Sequence, residues 1–205
     1  MFFALAGAFI VAMALFPTFF EWAFKRHQNQ WSWYLRPLFL IPACYFAYRR
    51  SLMGIAATVF FLLTSMFWFP EPESVDENVR EFLAMEMDYL RSPWDLGKIV
   101  FTLLVPISLG ALFAAFWKRS LRTGLLVLAL IAFAKMSWGV LYGGEAGASI
   151  FAPALLGLLL TSAALYLGLR RARARREQSE RGALTAEGLG PGRAARRAER
   201  QRAPT

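Results

Sequence analysis

"IVFTLLVPISLGALFAAFW", Ile99 to Trp117, runs for nineteen residues without a charged side chain. A bilayer hydrocarbon core is about 30 Å thick and takes roughly 17–25 apolar residues of helix. The stretch therefore reads as a membrane span, and it sets the expectation for the rest of the chain. Met1 to Phe20, Ser51 to Pro70 and Ala146 to Leu169 share its character. Gly124 to Tyr142 is interrupted only by Lys135 and is also long enough. With 57% hydrophobic residues and a mean hydropathy of +0.40, the composition lies outside the range of ordinary soluble domains. A soluble core would need polar faces on most of these segments. The first segment lacks the basic n-region of a secretory signal, and Lys25, Arg26 and His27 follow it instead, so a retained helix with an exported N-terminus is expected.

Basic residues near the ends of spans set orientation. Lys118, Arg119 and Arg122 join two of the long segments, and Arg170, Arg171, Arg173, Arg175 and Arg176 follow the last. Glu71 to Asp95 instead holds eight acids against Arg80 and Arg91. The basic sites are expected in the cytoplasm, together with the C-terminus, and the acidic stretch outside. "WSWYLRPLFLIPACYFAY", Trp31 to Tyr48, is ambiguous: Arg36 lies within it, and its uncharged part is twelve residues with Pro37 and Pro42 inside. That length suits a segment dipping in from the cytoplasmic side. Five spans with the N-terminus out result. Six spans with both termini inside are the alternative, at the cost of one departure from the positive-inside pattern at Lys25 and Arg26. In the five-span arrangement Glu21, four residues before Lys25, forms a helical ion pair at the cytoplasmic end of the first span.

The expected fold is thus an all-α, polytopic bundle of five to six transmembrane segments over residues 1–169, with an exported interfacial amphipathic helix. Residues 170–205 hold eleven arginines, four glutamates and no aromatic residue, and read as a disordered basic cytoplasmic tail. Its basic residues carry no lysine and its alanines are many, which points to a G+C-rich bacterial genome and hence to a bacterial inner membrane. The tail suits anionic lipid surfaces. Nucleic acid is not expected as a partner, because no aromatic side chains interleave the arginines to stack bases.

The acidic stretch "EPESVDENVREFLAMEMDYLRSPWDLGK" begins with a capping box, Ser74 followed by Glu77, so a helix over about residues 74–92 is expected. Ser92, Pro93 and Asp95 repeat the cap logic for the next helix. At 100° per residue, Val75, Val79, Phe82, Leu83, Tyr89 and Leu90 share one side of the exported helix, and Glu86 projects from the middle of that side. A carboxylate there needs a cation or a proton. Lys98 opens the next span, and Lys135 lies inside a span, where it costs roughly 2.5–3.5 kcal/mol and calls for a partner. An outward polar pocket of Glu86, Lys98 and Lys135 is expected, with Trp94, Trp138, Tyr142 and Glu145 around it. Arg36, amid Trp31, Trp33 and Tyr34, is a candidate contact for a lipid phosphate.

One histidine and one cysteine, Cys44, exclude bis-histidine haem, multi-histidine iron centres, histidine- or cysteine-based zinc sites and intrachain disulfides. No metal or cofactor is expected. No nucleophile elbow, P-loop or paired carboxylate at helical spacing within a span occurs. The small-residue run Gly157 to Gly168 could mark a helix contact within the chain or between subunits. The first functional reading is a non-catalytic partner, assembly factor or lipid-binding component, with membrane lipids and another membrane protein or a second copy as partners. A small-solute carrier or channel around Glu86 and Lys135 is the second reading. The third is a lipid-directed enzyme using Glu86 as general acid or base.

Overall fold

The computed structural model describes residues 1–188, and all the regular structure among them is helical. The helices are α1 (Phe2–Leu15), α2 (Pro17–His27), α3 (Trp31–Leu38), α4 (Leu40–Tyr48), α5 (Leu52–Thr64), α6 (Glu77–Arg91), α7 (Leu96–Trp117), α8 (Leu121–Gly143) and α9 (Phe151–Gly188). Short 3₁₀ turns follow α5 at Ser65–Phe67 and precede α9 at Ala146–Ile150. Two compact units are distinguished, residues 1–165 and the part of the chain from Tyr166 onward.

Three helices among the described residues are long and apolar enough to cross a membrane: Leu96–Trp117, Leu121–Gly143 and Ala146–Ala172. A fourth is reached if α1 and α2 count as one broken span, since a 103° bend separates them. That is fewer than the five to six expected, and proline chemistry explains much of the shortfall. Pro17 opens α2, lacks the N–H that would bond the α1 helix, and drives Phe16 into extended backbone (φ −112, ψ 94). Pro42 likewise cannot donate to the Leu38 carbonyl, so the 31–48 segment divides at Phe39 into helices of 8 and 9 residues. α5 has 13 residues, about 20 Å at 1.5 Å per residue, and falls short of a bilayer core on its own.

Side chains tie the ends of these helices into two groups. At one end, Arg91 at the close of α6 donates to Glu21 of α2 at 2.9 Å. Arg26 and Asn29 donate to the carbonyls of Phe67 and Pro70, each at 3.1 Å. At the other end, Arg50 donates to the Trp117 carbonyl at 3.4 Å, and the Arg119 guanidinium lies 5.4 Å from the Tyr48 ring. The expected Glu21–Lys25 pair is therefore replaced by Glu21–Arg91, and α2 sits at the acidic end of the bundle beside α6. The five-span arrangement had put Glu21 at the opposite end; the right-angle bend at Phe16, invisible to a hydropathy count, turns the chain along the acidic face.

α6 begins at Glu77, two residues later than the Ser74 cap implies. Asp76 is the cap, accepting from the amides of Asn78 and Val79. Similarly, Asp95 caps α7 through the Lys98 amide at 2.7 Å, while Ser92 closes α6. Val79, Phe82 and Leu83 are buried, whereas Glu77, Arg80, Glu81, Asp88 and Arg91 are exposed. The buried core lies beneath α6, where Phe20 and Phe24 of α2, Trp33 of α3, and Ala146 and Ile150 of the 3₁₀ turn meet it. Gly147 and Gly139 allow the closest backbone approach: a Cβ on Gly147 would collide with the Gly139 carbonyl.

α9 extends past residue 170 to Gly188, into the stretch expected to form a basic tail. The rest of the tail lies outside the described residues.

Candidate functional site

A cavity of about 400 Å³ opens inside the 1–165 unit, lined by residues of α2 to α9. This lies within the size range of small-molecule sites, about 300–1,000 Å³. Its lining divides by chemistry. His27, Arg36, Glu86 and Lys135 supply polar groups, while Leu40, Leu62, Leu109, Leu128, Ile131 and Leu158 are among the apolar ones.

The polar groups come from four different elements. Glu86 projects from the buried side of α6 and accepts from Lys135 Nζ at 2.6 Å. The Glu86 side chain is 17% exposed and that of Lys135 48%. Lys135 is two turns from the end of α8, and its ammonium also rests 4.7 Å from the Trp138 ring and 5.4 Å from Phe82. These ring faces favour a cation. Glu86 and Lys135, whose contact the sequence leaves open, are thus directly bonded.

Arg36 reaches the same cavity from α3. Its Nη1 lies 3.2 Å from His27 Nε2. A guanidinium can only donate, so Nε2 must accept and carries no proton. The proton then sits on Nδ1, which donates to Ser32 Oγ at 2.8 Å, and Ser32 passes its own hydrogen to the Asn29 carbonyl at 2.9 Å. Trp33 Nε1 adds a bond to the His27 carbonyl at 2.9 Å. Every partner in this chain has a defined donor or acceptor role, and the outcome is a neutral, buried imidazole orienting a charged guanidinium. Ser32 is fully committed to that chain and lies outside the cavity lining, so it does not form a nucleophile with His27.

Three ion pairs form among the described residues, Arg80–Glu77, Arg91–Glu21 and Lys135–Glu86, and none involves Arg36. Glu86 acts on Arg36 electrostatically, and Arg36 and Lys135 both act on His27. These four groups therefore form one electrostatic cluster in which a single carboxylate faces two cations.

Below the charges, α9 closes against α3. A Cβ on Gly157 would meet the Pro37 ring, and Thr161 donates to the Pro37 carbonyl at 3.2 Å. The glycine is thus required by a close approach between helices of the same chain. Pro153, Ala154 and Leu158 of α9 then complete the apolar wall.

The other expected site residues fall outside the lining. Lys98 turns away and closes the end of α6, donating to the Leu90 carbonyl (3.1 Å), the Ser92 carbonyl (2.6 Å) and Ser92 Oγ (3.2 Å). The Trp94 and Tyr89 rings flank its ammonium at 4.6 and 5.3 Å. Trp138, Tyr89 and Tyr142 form an aromatic cluster next to Lys135. Glu145 is exposed beyond the end of α8. Nothing in the sequence marks His27 as a site residue. Its place directly after a basic pair, nine residues before Arg36, carries no helical periodicity that would pair them, because a turn at residues 28–30 folds α3 back. Among the described residues no group of three or more histidine, cysteine, aspartate or glutamate side chains is arranged to hold a metal ion. No family model matches the chain, and neither a curated protein nor a solved structure matches it.

Proposed function

We propose that this chain is a multi-pass protein of a bacterial inner membrane that binds an amphiphile in the cavity, as a non-catalytic lipid-binding component. The headgroup lies among Arg36, Glu86 and Lys135, and the tail among the leucines below. The observation that carries the reading is Arg36. An ionised side chain drawn even partly out of water needs compensation, and half-buried Arg36 has a neutral histidine as its hydrogen-bond partner, while the carboxylate that acts on it, Glu86, is bonded to Lys135. An acidic group on a ligand is the natural complement. An amphipathic cavity beneath a cluster of charges supports an amphiphile in preference to a small polar solute, for which the apolar wall would be a barrier.

The joining of α2 to α6 at the acidic end and of Arg50 to Trp117 at the basic end supports a topology with both termini in the cytoplasm. α6 then lies across the exported face and roofs the cavity, and the headgroup belongs to the outer leaflet.

Native mass spectrometry of protein purified in mild detergent tests the reading. Wild type should carry a defined lipid or fatty acid, and Arg36→Gln should lose it while remaining folded. A wild-type protein that retains no amphiphile but carries a stoichiometric protein companion would overturn it in favour of a subunit role.

A further inference from the structure

We infer that the cavity selects an amphiphile whose headgroup carries a single negative charge, and that His27 is the positioning residue that sets this preference. The inference rests on the lipid-binding reading and adds the ligand's charge class.

Charge counting at the polar end is unusually well defined. Lys135 and Glu86 are bonded at 2.6 Å and cancel. His27 is neutral by necessity, since its Nε2 accepts from Arg36 and its Nδ1 hydrogen is used by Ser32. Arg36 is left, so the cluster sums to +1. A protonated His27 would raise that sum to +2 and would face the guanidinium with a second donor. The Ser32 and Asn29 acceptor chain, built on the turn between α2 and α3, therefore fixes both the tautomer and the charge of the site.

Ligands of different charge meet this +1 site differently. A monoanionic phosphodiester or carboxylate neutralises it and matches the planar fork of a guanidinium with two oxygens. A dianionic phosphomonoester brings an excess negative charge next to Glu86. A zwitterionic headgroup brings a cation towards Arg36 and Lys135 and leaves the site's charge unchanged. Like-charge contacts of this kind exclude the wrong ligand more strongly than they reward the right one.

The test is a competition at pH 8 between four lipids with identical dioleoyl chains: phosphatidylglycerol, phosphatidate, phosphatidylethanolamine and phosphatidylcholine. Delipidated full-length protein is exchanged with an equimolar mixture, and bound species are counted by native mass spectrometry. Phosphatidylglycerol should exceed each of the others by tenfold or more. Glu86→Gln raises the cluster to +2 and should shift the preference towards phosphatidate. His27→Gln, which retains an acceptor for Arg36 without a charge, should keep the wild-type order, while His27→Leu should flatten it. A further arm adds glycerophosphoglycerol, the monoanionic phosphodiester headgroup without its acyl chains, in millimolar excess; retention of the lipid assigns the site to an amphiphile, and displacement would overturn that assignment. Lipid binding that ignores the headgroup in wild type and Glu86→Gln alike would overturn the charge inference and leave the lipid-binding reading standing. Failure of all four lipids to bind would remove the reading itself.

Discussion

Replacing Gly147 by alanine should separate the 3₁₀ turn from α8 and destabilise the protein measurably. The added Cβ would overlap the carbonyl group of Gly139 and come to 2.9 Å from the Val140 nitrogen. Carbon needs about 3.5 Å from such neighbours, and both obstacles are backbone, so no side chain can rotate out of the way. The two elements must part, and the buried Ile150, which also lies against Gly139, moves with them. Overpacking costs typically about 1–3 kcal/mol, and a backbone obstacle places this case near ~3 kcal/mol. For a chain of this size about 2–4 °C of Tm accompanies each kcal/mol, which gives a fall of roughly 6–12 °C. Tryptophan-fluorescence melts in one detergent at a fixed scan rate would measure it. Gly110→Ala is the control: it lies in α7 with open space where the Cβ would go, and an alanine inside a helix is favoured over glycine by about 0.5–1 kcal/mol. A Gly147→Ala protein melting at or above Gly110→Ala would refute the close approach, and with it the position of the cavity wall.

Two further outcomes follow from the geometry. Lys98→Met leaves the Leu90 and Ser92 carbonyls without their charged donor in a side chain that is only 5% exposed. At about 1.5–3 kcal/mol for a hydrogen bond to a charged group, thermal melts should fall by several degrees while lipid headgroup preference stays unchanged, because Lys98 is outside the cavity. In a Cys44→Ala background, Gln28→Cys and Glu73→Cys should both react with an impermeant thiol reagent from the exported side, and Arg122→Cys only after permeabilisation. Labelling of Gln28→Cys from the cytoplasmic side would contradict the joining of α2 to the acidic end.

The amino-acid sequence by itself determined that the chain is helical and rich in membrane-length apolar segments, since charge-free runs near 20 residues leave few alternatives. It also singled out Glu86, Lys135 and Arg36, because charges amid apolar or aromatic side chains demand partners. Their meeting was a matter of tertiary structure. Glu86 and Lys135 are 49 positions apart, and the contact depends on α6 folding back over the end of α8. The number of long helices was overestimated because hydropathy sums side chains, whereas Pro17 and Pro42 act through a missing backbone donor. Lys98 and His27 exchanged their expected importance for a related reason. A lysine one turn into a helix can fold back onto the preceding helix end, as Lys98 does, and no periodicity distinguishes that from pointing into a cavity. The neutrality of His27 arises from one residue on a turn, Asn29, and two on the following helix, Ser32 and Arg36, and only their positions in space assign each hydrogen.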